Sequence, residues 1–274
     1  MIQLKLLKIY VELIFTFQLN KLTTNNKITV TGHRGAGGLA PENTLASIQL
    51  ALDLGVDRIE IDVQQTKDNV VIVLHDRTLR RTTTGIGYVK AKTYEEILKH
   101  SAGYKFNKYY IKEKVPTLDE VIKLINGRAE LLIETKYSFM YYPNIERHII
   151  NVIKTNEAKE WCKVISFNDR AIFRVHKLDP EIRIGKLFVG KHANLPLSWD
   201  KGMNIKPLRR YHFVDEIIVK HAYATEKIID RVHAMGKELH VWTVNDEETI
   251  EKLVERGVDG IISDYPNLLM KYKR

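Results

Sequence analysis

Hydrophobic and polar positions alternate with two different periods from Lys27 onward. Short β-branched runs predict strands, and runs with apolar residues three and four positions apart predict helices. In the helix predicted at 44–54, Asn43 is the expected N-cap and Gly55 ends the helix. The predicted strands are 28–32, 58–63, 70–74, 131–134, 164–166, 182–188, 216–220, 239–244 and 260–263, and the other predicted helices are 117–125, 145–154, 171–178, 226–235 and 247–255.

This order repeats a strand–helix unit about eight times, which requires a parallel sheet covered by helices. Eight units in about 245 residues favour an α/β fold closed as a (β/α)8 TIM barrel over an open sheet. We therefore expect one barrel domain over 27–274. Two segments interrupt the pattern: 78–115, a small insertion after the second barrel strand region, and 190–212, an irregular connection.

Residues 1–26 form an N-terminal extension, in which Glu12 breaks a short apolar run. A peripheral helix or strand is the favoured interpretation. A signal peptide, an amphipathic helix on a membrane or on the barrel floor, and a segment outside the true reading frame remain alternatives. We expect a cytoplasmic protein unless this extension acts as a signal or an anchor, in which case a secreted or membrane-surface location follows.

Composition narrows the class of protein. Hydrophobic residues make up 44% of the chain, enough for a full core, and one cysteine excludes a disulfide framework and a thiolate zinc site. No run of 18 apolar residues is free of charge, so no ordinary membrane span is expected. The net charge of +9 fits nucleic acid, a membrane surface or a small anionic substrate. Because the basic residues look scattered, we expect a small-molecule substrate and no nucleic acid; the oligomeric state stays open.

Acidic, imidazole and cationic residues fall at the C-terminal ends of the predicted strands. In a barrel these ends form one rim, and that rim carries the chemistry. In the strand at 58–63, Glu60 and Asp62 share one face and the aliphatic residues the other, so both acids should point into the barrel mouth. The rim candidates are His33, Arg34, Glu60, Asp62, His75, Glu134, Lys136 and Trp242.

Three of these candidates predict a metal site. Carboxylates of Glu60, Asp62 and Glu134 in one semi-buried place would repel one another, and a divalent cation would remove the repulsion. All-oxygen ligation suits Mg²⁺ or Ca²⁺ better than zinc. The alternative is a structural salt-bridge network with Arg34 and Lys136. A buried ion network contributes little net stability, so the metal site is favoured.

The remaining candidates indicate phosphodiester chemistry. His33 and His75 can act as an acid–base pair, since one imidazole accepts a proton while the other donates one. Arg34 can hold a phosphate with two hydrogen bonds, and Lys136 adds positive charge. Trp242 is the expected wall of the pocket. A glycosidase would instead use two carboxylates flanking the bond and no cation.

Eight short motifs occur in a fixed order across roughly residues 30–266. They are Gly32-His33-Arg34-Gly35-Ala36, Pro41-Glu42-Asn43-Thr44, Glu60-Ile61-Asp62-Val63, His75-Asp76, Glu134-Thr135-Lys136, Ser166-Phe167, Trp242-Thr243-Val244-Asn245 and Asp259-Gly260-Ile261-Ile262. In this order they resemble the glycerophosphodiester phosphodiesterase family. The complete series is specific, although any single piece would be weak.

The resemblance implies a TIM barrel with a small insertion after the His-Asp motif, and one Ca²⁺ or Mg²⁺ at the three acids. It implies the two histidines as the acid–base pair, with the arginine and the lysine near the phosphate. The implied reaction cleaves glycerophosphodiesters to glycerol 3-phosphate and an alcohol through a cyclic phosphate intermediate.

 That intermediate forms when the neighbouring glycerol hydroxyl attacks phosphorus, and water then opens the ring.

Several points stay open at this level. A lysophospholipase D-like lipid phosphodiesterase on the same barrel, a non-catalytic anion-binding barrel and a nucleic-acid-binding protein are the alternatives. His33 is favoured as the first base, although the sequence does not decide it. Glu42 and Asn43 are expected to shape the turn into the first helix. An aromatic run at 137–143 could line an alcohol-binding mouth together with Tyr104, Phe106, Tyr109 and Tyr110.

Overall fold

A computed structural model describes residues 27–136, 141–189 and 209–274. The expectations for 1–26, for 137–140 and for most of 190–212 lie outside the described residues. Within these ranges nine strands form one sheet, and eight of them are parallel. The strands are β1 (Thr29–His33), β2 (Arg58–Gln65), β3 (Val71–Val73), β4 (Glu130–Thr135), β5 (Cys162–Ser166), β6 (Arg183–Phe188), β7 (Glu216–Lys220), β8 (Glu238–Trp242) and β9 (Gly260–Ser263).

The parallel strands close into a barrel because β1 pairs with both β2 and β9. The predicted (β/α)8 barrel is therefore confirmed. The strand predicted at 70–74 is different, because β3 runs antiparallel to β2 and adds a hairpin outside the barrel. The reversal is made by Asn69, whose left-handed φ of 65° fits a tight turn between Thr66 and Val70.

Seven α-helices lie outside the barrel in the described part of the chain, six around it and one short helix in the insertion at 78–115. They are α1 (Leu45–Leu54), α2 (Tyr94–Leu98), α3 (Leu118–Ile125), α4 (Ile145–Thr155), α5 (Asp169–Leu178), α6 (Glu226–His233) and α7 (Glu247–Arg256), followed by a 3-10 helix at Pro266–Tyr272. The cap of α1 is Thr44 rather than the predicted Asn43, since the Thr44 hydroxyl accepts a hydrogen bond from the Ser47 amide. Gly55 ends α1 in the left-handed conformation, as predicted.

Strand parity separates the core from the barrel interior. In β2, Ile59, Ile61 and Val63 are fully buried in the layer beneath the helices, so Glu60 and Asp62 face the opposite side. A smaller apolar layer fills the middle of the barrel, with Leu132, Ile165, Leu187, Ile218 and Ile262 in contact. Within the described ranges, no helix is long and apolar enough to cross a bilayer.

The opposite end of the barrel is closed by a buried ion cluster. Glu216 Oε2 lies 2.7 Å from Arg58 Nη1 and 2.9 Å from Lys163 Nζ. His240 Nε2 lies 3.0 Å from Glu238 Oε2 and 3.3 Å from the same Glu216 oxygen. His240 is thus an interior residue.

The insertion at 78–115 joins β3 to α3 and contains α2. It has a small core of its own, made by Leu79, Val89, Ile97, Ala102 and Val115. This core also contacts Ile72 and Leu74, so the insertion rests on the hairpin that leaves the barrel rim.

Candidate active site

The predicted rim residues converge at the C-terminal end of the barrel. A pocket of about 280 Å³ is lined by His33, Arg34, Glu60, His75, Glu134, Lys136 and Trp242, together with apolar residues from β5, β6 and β9. Asp62 is fully buried beneath this pocket, where it contacts Arg34 and Lys136. The structure therefore brings all eight candidates to one place.

The tight loop after β1 positions His33 and Arg34. Arg34 has a left-handed φ of 54°, an uncommon conformation for a non-glycine residue that is found more often at functional sites. Its amide donates to Glu60 Oε2 at 3.1 Å. A Cβ on Gly35 would lie 2.5 Å from the Ser47 backbone, so only glycine lets the loop pack against α1.

Glu60, Asp62 and Glu134 each offer a carboxylate oxygen, and these three oxygens lie within 4.8 Å of one another. All three side chains are buried. Burial and the charge of Asp62 raise the pKa of Glu60 to about 8. Burial also raises the pKa of Glu134. The protein's own groups thus leave part of the repulsion between these acids in place.

Asp62 stays ionised because two cations face it. Its Oδ1 lies 2.8 Å from Lys136 Nζ, and its Oδ2 lies 3.1 Å from Arg34 Nε. Burial opposes the charge, but Lys136 and Arg34 outweigh it and lower the pKa of Asp62 below its ordinary value. Lys136 also contacts Glu134 Oε1 at 2.7 Å. Burial lowers the pKa of Lys136, yet the two carboxylates raise it by more, so the ammonium remains protonated.

These acids fit a hard divalent cation. Oxygen ligands are what Ca²⁺ and Mg²⁺ prefer, and Glu60 Oε1 is buried without a hydrogen-bond partner among the described residues. A second group with metal-ligand spacing, Glu216, Glu238 and His240, lies at the opposite end. Glu216 Oε1 is likewise buried without a hydrogen-bond partner among the described residues. However, His240, Lys163 and Arg58 outweigh burial and lower the pKa of Glu216 to about 2, whereas the pKa of Glu60 at the rim is raised, so the unmet negative charge lies at the rim.

His33 is held by a carboxylate that the sequence reasoning missed. Its Nδ1 donates to Asp264 Oδ1 at 2.6 Å, and its Nε2 lies 3.8 Å from Glu60 Oε2. Asn245 fixes Asp264 by donating from Nδ2 to Oδ2 at 2.6 Å. Burial lowers the pKa of His33, but the Asp264 hydrogen bond and the Glu60 charge outweigh it, so the pKa is raised.

His75 has the same arrangement with a neighbouring residue. Its Nδ1 donates to Asp76 Oδ1 at 2.6 Å, and Arg81 Nε donates to Asp76 Oδ2 at 2.8 Å. Burial lowers the pKa of His75, and the charges of Lys136 and Arg34 add to this effect. With only the protein's own charges, His75 therefore holds its proton less readily than His33.

Glu42 and Asn43 do more than shape a turn. Glu42 accepts from Arg34 Nη1 at 2.8 Å and from both terminal nitrogens of Arg81, at 2.7 and 2.8 Å. Asn43 donates to Asp62 Oδ2 at 2.9 Å and accepts from the Asp62 amide at 3.2 Å. Both residues thus support charged groups of the pocket, which corrects the purely local role expected from the sequence.

The apolar wall of the pocket is built from Trp242 and Phe167, whose rings meet edge to face at 5.3 Å. The aromatic residues of the insertion do not join it. Tyr104, Phe106 and Tyr109 are 50%, 47% and 82% exposed and are absent from the pocket lining. The expected alcohol-binding role of these residues is therefore not supported by their position.

Two of the site residues that the sequence analysis missed, Asp264 and Asp76, have a recognisable sequence signal. Asp264 directly follows β9, so the strand-end rule that selected the other candidates applies to it as well. Asp76 stands next to His75 in a quoted motif. Arg81 gives no comparable signal, because it lies in the insertion and reaches the rim only through the folded loop.

Comparison with known proteins agrees with this geometry. The model of the glycerophosphoryl diester phosphodiesterase family matches residues 33–268. A glycerophosphodiester phosphodiesterase of Caldanaerobacter subterraneus is 37% identical over 249 residues, which cover 90% of this chain and 98% of the relative. One from Bacillus subtilis is 32% identical over 271 residues, covering 92% and 89%.

Solved structures give the same result. A phosphodiesterase of Oleispira antarctica, in complex with the product sn-glycerol-3-phosphate, is similar with a TM-score of 0.79 and 29% identity, covering 90% of this chain and 96% of that one. A glycerophosphodiester phosphodiesterase of Agrobacterium tumefaciens is similar with a TM-score of 0.75 and 28% identity, covering 89% and 99%.

Proposed function

Because the chain belongs to the glycerophosphoryl diester phosphodiesterase family, we propose that it hydrolyses glycerophosphodiesters to glycerol 3-phosphate and an alcohol, with one divalent cation and histidine acid–base catalysis. The chain is a phosphoric diester hydrolase by this membership. The observation that carries the finer proposal is one site, formed by the pocket and the buried Asp62 beneath it, that brings together three crowded carboxylates, two cations and two histidines anchored by aspartates.

Glu60, Asp62 and Glu134 would hold the cation, either Ca²⁺ or Mg²⁺. When bound, this ion supplies Lewis-acid stabilisation of the phosphoryl oxygens. Glu42 orients the Arg34 guanidinium, and Arg34 and Lys136 add positive charge that attracts the phosphodiester anion.

The histidines provide the proton transfers. Each Nδ1 is engaged by an aspartate, so each Nε2 is the atom that exchanges a proton with the substrate. One imidazole takes the proton of the neighbouring glycerol hydroxyl as its oxygen bonds to phosphorus. The other imidazole donates a proton to the alcohol oxygen as its bond to phosphorus breaks.

This first step leaves a cyclic phosphate, which water opens with the two histidine roles reversed. An internal nucleophile gains about 7–11 kcal/mol in the best-oriented cases, which favours this route over direct attack by water. The raised pKa of His33 and the lowered pKa of His75 support His75 as the neutral imidazole in the first step, rather than His33.

A lysophospholipase D-like activity is the second candidate. Ile165, Phe167, Leu187, Trp242 and Ile262 give the pocket an apolar side that could contact a lipid-derived group. A volume of about 280 Å³ lies at the small end of ligand pockets, and it suits a glycerol phosphate with a small head group better than a long acyl chain.

The test is release of glycerol 3-phosphate from glycerophosphocholine and glycerophosphoethanolamine, each with and without Ca²⁺ or Mg²⁺. The proposal predicts turnover that EDTA abolishes and added metal restores. Lysophosphatidylcholine is assayed in parallel, and a preference for it would favour the second candidate. Full activity after exhaustive chelation would refute the metal dependence.

A further inference from the structure

The insertion at 78–115 holds most of the net charge of the chain. It contains nine lysines and arginines against three glutamates and no aspartate, a net charge of +6 out of +9 for the whole chain. The basic residues that look scattered along the sequence are therefore concentrated in one folded segment. Pocket residues do not account for this charge, because none of the pocket lining comes from the insertion.

The same segment exposes most of the large hydrophobic side chains that are exposed in the described part of the chain. Six of these seven side chains lie between residues 86 and 111. Ile86 is 73% exposed, Tyr109 is 82% exposed and Ile111 is 54% exposed. Such a concentration on a protein with a complete core marks an interaction surface.

Basic and hydrophobic side chains alternate on this surface. The run from Tyr104 to Lys112 places exposed Lys105, Lys108 and Lys112 between the aromatic and aliphatic residues. Thr84 and Ser101 join this run to the loop that carries Ile86, since the Thr84 amide donates to the Ser101 carbonyl at 2.9 Å. We name residues 84–88 and 104–112 together the basic–aromatic surface.

We propose that the basic–aromatic surface docks the protein on the surface of a lipid bilayer that contains anionic lipids. Lysines near such a surface are attracted to its negative potential, while tyrosines suit the interface and aliphatic tips enter the acyl boundary. The exposed Ile86 and Ile111 favour a bilayer over a nucleic acid, because isoleucine offers neither a ring for stacking nor a charge for phosphate.

Docking here would bring the active-site rim toward the membrane. Arg81 belongs to the insertion and bonds both Asp76 and Glu42, so the surface is part of a segment fastened beside the pocket. The inference goes beyond the proposed hydrolysis and does not depend on it, because vesicle binding is measured without any substrate.

The experiment is co-sedimentation of the full chain with phosphatidylcholine vesicles that contain or lack phosphatidylglycerol. We expect binding only to the anionic vesicles, weakened by added salt. One variant carries Ile86→Ser, Tyr109→Ser and Ile111→Ser, and it should bind at least tenfold more weakly. These residues lie outside the pocket, so turnover of soluble glycerophosphocholine serves as the check that the variant is folded.

A second variant separates charge from apolar contact. Lys105→Gln, Lys108→Gln and Lys112→Gln should also weaken vesicle binding at least tenfold. The matched control removes the same number of exposed lysines from the outer helices: Lys177→Gln, Lys227→Gln and Lys252→Gln, with binding reduced less than threefold.

Several outcomes would overturn the proposal. They are no binding of the wild-type chain to anionic vesicles, equal binding to neutral vesicles, unchanged binding of the serine variant, and equal loss in the control. Binding to a single-stranded RNA oligonucleotide without binding to vesicles would assign the surface to nucleic acid instead and would likewise overturn it.

Discussion

Replacing Asp264 by asparagine isolates the role of one positioning carboxylate. Asp264 accepts from His33 Nδ1 at 2.6 Å and from Asn245 Nδ2 at 2.6 Å. The side-chain oxygen of Asn245, Oδ1, already accepts two hydrogen bonds, from the backbone amide of Asp264 at 2.9 Å and from Ser263 Oγ at 3.1 Å. Asn245 therefore cannot reverse its amide without losing both bonds.

An asparagine at position 264 meets a donor on both sides. If its oxygen faces His33, its NH2 group faces the NH2 group of Asn245. A hydrogen bond to a charged partner contributes about 1.5–3 kcal/mol, against about 0.5–1.5 kcal/mol for a neutral one. With the conflict between the two NH2 donors added, we expect the activation free energy to rise by about 2–3 kcal/mol, which corresponds to a fall in kcat of about 30- to 150-fold.

The assay is the pH dependence of glycerol 3-phosphate release from glycerophosphocholine by Asp264→Asn. The hydrogen bond and charge of Asp264 raise the pKa of His33 in the wild-type protein. In Asp264→Asn, the limb of the pH–rate profile that reports the ionisation of His33 should therefore move to lower pH. A merely structural role for Asp264 would lower the activity without moving that limb.

The control is Asp259→Asn, which alters a His–Asp pair of similar length outside the pocket. His233 Nε2 lies 2.7 Å from Asp259 Oδ2. This variant should lose some stability, because Asp259 also accepts from the Leu239 amide, but it should keep the wild-type pH profile. An unchanged kcat and pH profile in Asp264→Asn would refute the reasoning.

Three further variants test other parts of the structure. His75→Ala should lower kcat by about 10²- to 10⁴-fold with an unchanged melting temperature, and near-normal turnover would contradict its acid–base role. Arg81→Gln should lower kcat up to about tenfold, because Asp76 loses its charged partner; Arg81 is half-exposed, so a larger effect is not expected, and Arg81→Lys should recover part of the rate. Glu216→Gln should lower the free energy of unfolding by about 1.5–3 kcal/mol in urea, because Arg58 and Lys163 lose the buried carboxylate that they share. Glu130 still lies beside both cations, so a larger loss is not expected, and equal stability would contradict the prediction. Burial raises the pKa of Glu216 but His240, Lys163 and Arg58 outweigh it and hold the pKa near 2, so its stabilisation is present above about pH 4.5 and is lost as the pH falls toward 2.

The sequence predicts the barrel because its periodicity reports burial. Alternation in 58–63 places aliphatic residues under the helices and acids in the mouth, and the structure has this arrangement. Periodicity does not report strand direction, however. The hairpin of β3 depends on a turn at Asn69, and 70–74 reads like any other buried strand.

The position of a residue at the C-terminal end of a strand predicts that it lies at the rim, but it does not predict the partners that orient it. Arg81 reaches Asp76 and Glu42 only through the folded insertion, and Asn43 reaches Asp62 from a loop. Such contacts depend on tertiary packing, which local spacing does not contain. The concentration of charge in 78–115 is visible in the sequence, but its meaning depends on which side chains the fold leaves exposed.

Direct titration of metal into the chelated protein tests the central claim most directly. Isothermal titration with Ca²⁺ and with Mg²⁺ should show one saturable site per chain for at least one of the two ions. Asp62→Asn and Glu134→Gln should each weaken that binding at least tenfold, because each removes one of three oxygen ligands. No saturable binding of either ion, or wild-type affinity in both variants, would contradict a divalent cation held by these carboxylates.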